Sequence, residues 1–188
     1  MHDADVRAAT WNAIKRRKDS QDAVLLNEFG LCGEVRADIA VINGHMTGFE
    51  LKSASDNLKR LPKQVEYYSK VMDYCNLVVS ENHREAAESI IPDFWGEYLA
   101  CTGKRGQTYI RKIKTAKINR NIDSDSLVQL LWKPEAEVLL RKYDLYKGMS
   151  GKSRIFWWNQ LATSLTRDVL REEVRRTIKA RTSWRELV

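Results

Sequence analysis

The segment from Arg36 to Ser53 constrains the fold more than any other stretch of the chain. Arg36 to Ile42 alternates, with Ile39 and Val41 out of phase with Asp38 and Ala40, as a strand with two unlike faces does. Asn43-Gly44-His45 then gives a strong hairpin signal, and Thr47 to Ser53 supplies the returning strand. Side chains two apart share a face, so Glu50 and Lys52 point one way while Phe49 and Leu51 enter the opposite layer. The hairpin sets the strand of Asp38 beside that of Glu50, and two carboxylates and an ammonium converge on one side of the sheet.

The surrounding pattern extends this hairpin into a layered fold. Residues 3–17 predict a helix, and Ala23 to Leu31 predicts a strand. After the hairpin, Asp56 to Tyr74 reads mainly as helix, with Leu58, Leu61, Val65, Tyr68 and Met72 at helical spacing and Pro62 in the first regular turn. Asn76 to Ser80 predicts a strand and His83 to Ile91 a short helix. Gly96 to Thr102 and Gln107 to Ala116 predict two more strands joined by Gly103-Lys104-Arg105-Gly106. The order α-β-β-β-α-β-α-β-β predicts an α/β class with a mixed sheet flanked by helices in three layers. From Ser124 onward only helices are expected: 124–132, Pro134 to about Tyr146, 154–165 and 167–181. The expected division is a core at 1–117 and a basic, all-helical C-terminal appendage at 124–188.

The charge of +7 is uneven. Residues 1–102 sum to −4, residues 103–123 to +6 and residues 124–188 to +5. A basic surface attracts polyanions by counterion release, so nucleic acid is the first partner to consider. Cys32, Cys75 and Cys101 contain no CxxC pair, which argues against zinc and for small core residues in a reducing compartment. The polar start, His2-Asp3-Ala4-Asp5, is unlike a signal peptide, and no apolar run approaches the ~18 residues of a membrane span. A cytoplasmic protein without membrane contact is the expectation.

Asp38 followed after a turn by Glu50-Leu51-Lys52 resembles the PD-(D/E)XK nuclease superfamily, with its restriction-endonuclease-like and Holliday-junction-resolvase-like members. Residues 23–80 match the core order of that superfamily, whereas residues 124–188 match nothing in it. The resemblance implies DNA hydrolysis dependent on Mg²⁺ or Mn²⁺, with Asp38, Glu50 and the backbone carbonyl of Leu51 as metal donors. Two carboxylates suit a hard divalent cation whose other positions go to water and phosphate. Lys52 would orient the attacking water or stabilise the transition state. The resemblance also implies an upstream acid, matched by Glu28 with Glu34 as a rival, and a helix glutamine, matched by Gln64. Because related nucleases often act as dimers, a homodimer belongs to the expectation.

Lys59, Arg60 and Lys63 at the helix start, and Lys104, Arg105, Arg111, Lys112, Lys114 and Lys117 farther on, are the expected backbone contacts to nucleic acid. Arg171, Arg175, Arg176 and Lys179 would extend them. Gly148 to Ser153 has the wrong spacing for a phosphate loop and reads as a linker with Ser153 capping the next helix. Phe156, Trp157, Trp158 and Leu161 read as the core of a small helical unit. The alternative to catalysis is an inactive nuclease-fold module that binds DNA or a protein.

Overall fold

The computed structural model describes residues 2–16 and 22–181. Helix α1 (Asp3–Lys15) precedes a meander of β1 (Val24–Leu31), β2 (Val35–Ile42) and β3 (Met46–Lys52). Helix α2 (Leu61–Val71) leads to β4 (Tyr74–Ser80). A 3₁₀ turn (Glu81–His83) and the short α3 (Arg84–Glu88) lead to β5 (Gly96–Thr102) and β6 (Thr108–Lys114). Four helices follow: α4 (Ser124–Val128), α5 (Lys133–Lys142), α6 (Arg154–Ser164) and α7 (Arg167–Lys179). The predicted end of the first helix, Arg17, lies outside the described residues.

The six strands lie side by side in chain order. β3, β4 and β5 are parallel to one another, and the remaining neighbours are antiparallel. The mixed sheet flanked by helices is therefore the α/β arrangement that the element order predicted. On one face, α1 closes a small core of Val6 and Ile14 over Ile39, Val41, Phe49, Leu51 and Val78. On the other, α2 packs over Ala40, Ile42, Met46, Leu77 and Val79, and its cluster runs on without a break into Leu127, Leu140, Trp157 and Ile178.

Several boundaries differ from the sequence reading for physical reasons. The β2–β3 loop has three residues, because Ile42 pairs with Met46. Asn43 Oδ1 accepts the His45 N–H at 2.9 Å, an Asx turn within the expected Asn43-Gly44-His45 turn, and the third strand begins one residue before the expected Thr47. α2 starts at Leu61 and not near Asp56, since the Asp56 carboxylate takes both the Ser53 N–H and the Ser53 hydroxyl at 2.7 Å and bends the chain there. α5 stops at Lys142, and Asp144 in the left-handed region (φ 57) prevents continuation to Tyr146. Phe156 is 59% exposed and no core residue, whereas Trp157 and Leu161 are buried. Of the cysteines only Cys75 is buried, and Cys32 and Cys101 are half-buried. No helix among the described residues is long and apolar enough to cross a membrane.

Candidate active site

β3 carries the centre. Gly48, Glu50 and Lys52 face α2, while Phe49 and Leu51 sit in the core under α1. A Cβ on Gly48 would stand 2.8 Å from the Tyr68 ring, so the glycine lets α2 lie close to the strand. This closeness lets two α2 side chains, Gln64 and Tyr68, reach the strand's polar residues. They are one helical turn apart and therefore share a face.

Glu50 and Lys52 are buried together, at 0% and 4% exposure. Lys52 Nζ donates to Glu50 Oε1 at 2.5 Å and to Gln64 Oε1 at 2.9 Å. The Tyr68 hydroxyl donates to the other Glu50 oxygen at 2.8 Å. Burial first, and then the charge of Asp38, push the Glu50 carboxyl up to about 7, outweighing Lys52 and the Tyr68 hydroxyl, which act in the opposite direction. Tyr68, wholly buried beside these acids, is held well above its usual value, so its hydroxyl stays a donor.

Asp38 lies where β2 and β3 part. Their pairing ends at Ile39 and Phe49. Beyond it the Tyr68 hydroxyl accepts the Asp38 N–H at 3.1 Å and lies 3.2 Å from the Phe49 carbonyl, so a side chain replaces a rung of the ladder. Asp38 Oδ2 accepts the Leu51 N–H at 2.8 Å, so the N–H of Leu51 is the group that meets it. Asp38 Oδ1 accepts from Arg7 Nη2 at 2.9 Å, and the Asp38 carbonyl from Arg7 Nη1 at 2.9 Å. Arg7 comes from α1, on the other face of the sheet. The sequence expectation of three groups on one face thus becomes an arrangement in which Asp38 fills the gap between strands and is held from the far layer.

The facing alternation slips at this point. Leu26 and Phe29 of β1 both belong to the α2-side core, as do Ala40 and Ala37 of β2. The slip falls at Glu28, whose φ of 50 is left-handed, and at Asp38 across from it. Glu28 is 46% exposed and shares Arg7 with Asp38 at 3.1 Å. Among the described residues no three His, Cys, Asp or Glu side chains come close enough to hold a metal ion by themselves. Glu28 is therefore not gathered with Asp38 and Glu50 into one ligand set. Its rival Glu34 is exposed and pairs with Lys63 at 2.7 Å.

The basic candidates divide between the two ends of the sheet. Lys59, Arg60 and Lys63 at the α2 start, with Lys104 and Arg105 after β5, lie at the end where β3 finishes with Lys52. Lys114 and Lys117 lie at the other end, since β6 runs back along β5. Lys114 stands 3.9 Å from Asp93, and the Lys117 N–H is bound by the Phe94 carbonyl. Arg111 and Lys112 lie between. A register shift after Lys112 breaks the simple alternation expected of Lys112 and Lys114. On α7, Arg171 pairs with buried Asp73, Arg175 with Glu172 and Arg176 with Glu173. Those three guanidiniums are paired with acids of the chain itself, of which Asp73 and Glu173 are buried and Glu172 is exposed.

Arg7 and the bridging role of Tyr68 were missed in the sequence. Tyr68 had one usable signal, a phenol on an apolar stripe beside a strand with two polar residues. Arg7 had none.

Comparison with known proteins gives a family. Protein cII of Enterobacteria phage P4 is 22% identical over 182 residues, which cover 96% of this chain and 68% of that protein. Among solved structures, the SPO1766 protein of unknown function from Silicibacter pomeroyi aligns with a TM-score of 0.45 and 14% identity over 78% of this chain and 93% of its own. The profile described as Bacteriophage P4 protein cII matches residues 1–187, and the chain belongs to that family.

Proposed function

We propose that this chain is a metal-dependent nuclease of restriction-endonuclease-like fold that hydrolyses phosphodiester bonds in DNA. The observation that carries this reading is the buried Glu50–Lys52 pair on β3, linked through Tyr68 to Asp38 on the neighbouring strand. The donors suit Mg²⁺ or Mn²⁺ in kind. Two neighbouring carboxylates repel each other enough to help raise Glu50, and such a pair gains from a cation between them. Mg²⁺ takes one or two carboxylates and completes its shell with water and phosphate oxygens, so a pair of acids is a sufficient protein contribution.

Asp38 and Glu50 would hold the ion. Bound there, it supplies a more acidic water and neutralises charge on the phosphate. Lys52, oriented by Gln64 and Glu50, offers a fixed ammonium to an attacking water and to the charge that grows on phosphorus. Lys59, Arg60, Lys63, Lys104 and Arg105 surround this end of the sheet with positive charge that suits a phosphate backbone.

The test is cleavage of linear duplex, single strand, flap and junction DNA, and of RNA, with Mg²⁺ or Mn²⁺. The native chain is expected to cut at least one DNA form, and Asp38→Ala and Lys52→Ala to lower the rate roughly a hundredfold or more while staying folded. A native chain that cuts none of them defeats the reading.

A second reading is a DNA-binding protein that keeps the fold without catalysis. One observation favours it: both Asp38 oxygens already have protein donors, one of them the cation Arg7. It requires salt-sensitive DNA binding that is indifferent to Mg²⁺ and unchanged by Lys52→Ala.

A further inference from the structure

Arg7 stands where an added cation would have to act. Oδ2 of Asp38 is turned to the Leu51 N–H, so Oδ1 and the backbone carbonyl are its outward acceptors. Arg7 binds both, through two different nitrogens, and Nη2 also meets Glu28 Oε1. The guanidinium thus bridges the two acids at the slipped point of β1 and β2, and Arg36 Nε stands 3.5 Å from the other Glu28 oxygen. It is 24% exposed and keeps a second partner on its own helix, since its Nε meets Asp3 Oδ2 at 3.4 Å. Leaving Asp38 would therefore cost it one partner and not all of them. Arg7 and Asp38 keep only 24% and 18% of their side chains exposed, so water screens their pairing in part, whereas a divalent ion brings twice the charge to the same oxygens.

We propose that Arg7 is a resident counter-cation that competes with a divalent cation for Asp38, so that the N-terminal helix restrains metal loading of the centre. The inference rests on the metal-site reading above and adds its regulation. Loading frees Arg7 to Asp3 and Glu28, and α1 loses its polar attachment to β2. The attachment and the ion exclude each other because both need Oδ1.

The test is Mn²⁺ binding to the full chain, followed by the electron paramagnetic resonance of free Mn²⁺, for the native protein, Arg7→Gln, Arg7→Lys and Asp38→Asn. Arg7→Gln is expected to bind Mn²⁺ about tenfold more tightly than native. Arg7→Lys keeps the charge but loses the two-nitrogen grip, and is expected to fall between them. Combining Asp38→Asn with Arg7→Gln is expected to abolish the gain. Equal affinity in native and Arg7→Gln, with binding still lost in Asp38→Asn, overturns the competition and leaves the metal site standing. Absence of Mn²⁺ binding in every folded variant overturns both. Should Arg7→Gln fail to fold, hydrogen exchange of the native chain decides: amides of α1 lose protection when Mn²⁺ is added, and unchanged protection refutes the proposal.

Discussion

The Tyr68 hydroxyl lies 2.8 Å from Glu50 Oε2 and at the same time takes the N–H of Asp38 at 3.1 Å, so one phenol ties an acid on β3 to the backbone of β2. Tyr68→Phe leaves that N–H without its acceptor and Glu50 without a donor. A loss of about 1–3 kcal/mol is expected, read from urea unfolding midpoints, for a group left unsatisfied in the interior. Glu50 should titrate higher still, because the hydroxyl favours its charged form.

Stability should fall as pH rises through the neutral range. The ordinary Glu value of 4.5 becomes about 7 in the folded chain. Between these values the folded state holds a proton that the unfolded state has released, so Glu50's stabilising contribution is fully present below about 4.5 and is lost as pH rises to about 7. The full effect of this group is roughly 3 kcal/mol. Comparing unfolding free energies of native and Glu50→Gln from pH 4.5 to pH 8 checks it. The native slope should be the steeper, and equal slopes would assign the pH dependence elsewhere.

Arg171→Ala should be among the more damaging single changes on α7. Asp73 is 2% exposed and accepts from Arg171 at 3.0 Å and from the Met46 N–H at 2.7 Å. Truncation leaves a buried carboxylate short of its cation, at a cost of about 3–5 kcal/mol. Thermal unfolding measures it, and the paired Asp73→Asn, Arg171→Ala variant should recover part of the loss.

Gly48→Ala tests the close approach of α2. The added methyl meets the Tyr68 ring at 2.8 Å and Met72 Cγ at 3.3 Å, and both are buried. Overpacking of this kind costs about 1–3 kcal/mol. Near-ultraviolet circular dichroism should show the tyrosine environment altered while the far-ultraviolet spectrum is kept.

The parts of this protein that follow local rules were readable in the residues. The opposite facings of Glu50 and Leu51 come from the two-residue period of a strand, and Gln64 and Tyr68 share a face because they are a turn apart on a helix. The Asp38 geometry was not readable, because Arg7 acts across 31 positions and from the other side of the sheet. Glu28 carries no glycine-like mark of its left-handed backbone, so the slip in alternation left no trace. The basic residues looked like one run because sequence order conceals that β6 reverses direction and carries Lys114 away from Lys104.

Helix α2 touches the strands through one side and α4 through another, and its buried residues form one cluster with those of the C-terminal helices. The scaffold that aims Gln64 and Tyr68 is therefore also the floor on which the tail rests. A cavity cut on the tail side, such as Leu127→Ala, should be felt as altered titration of Glu50, although Leu127 bears no polar group. Trimming or swapping the tail would uncover the apolar side of α2 and so reach the chemistry-bearing strand from behind.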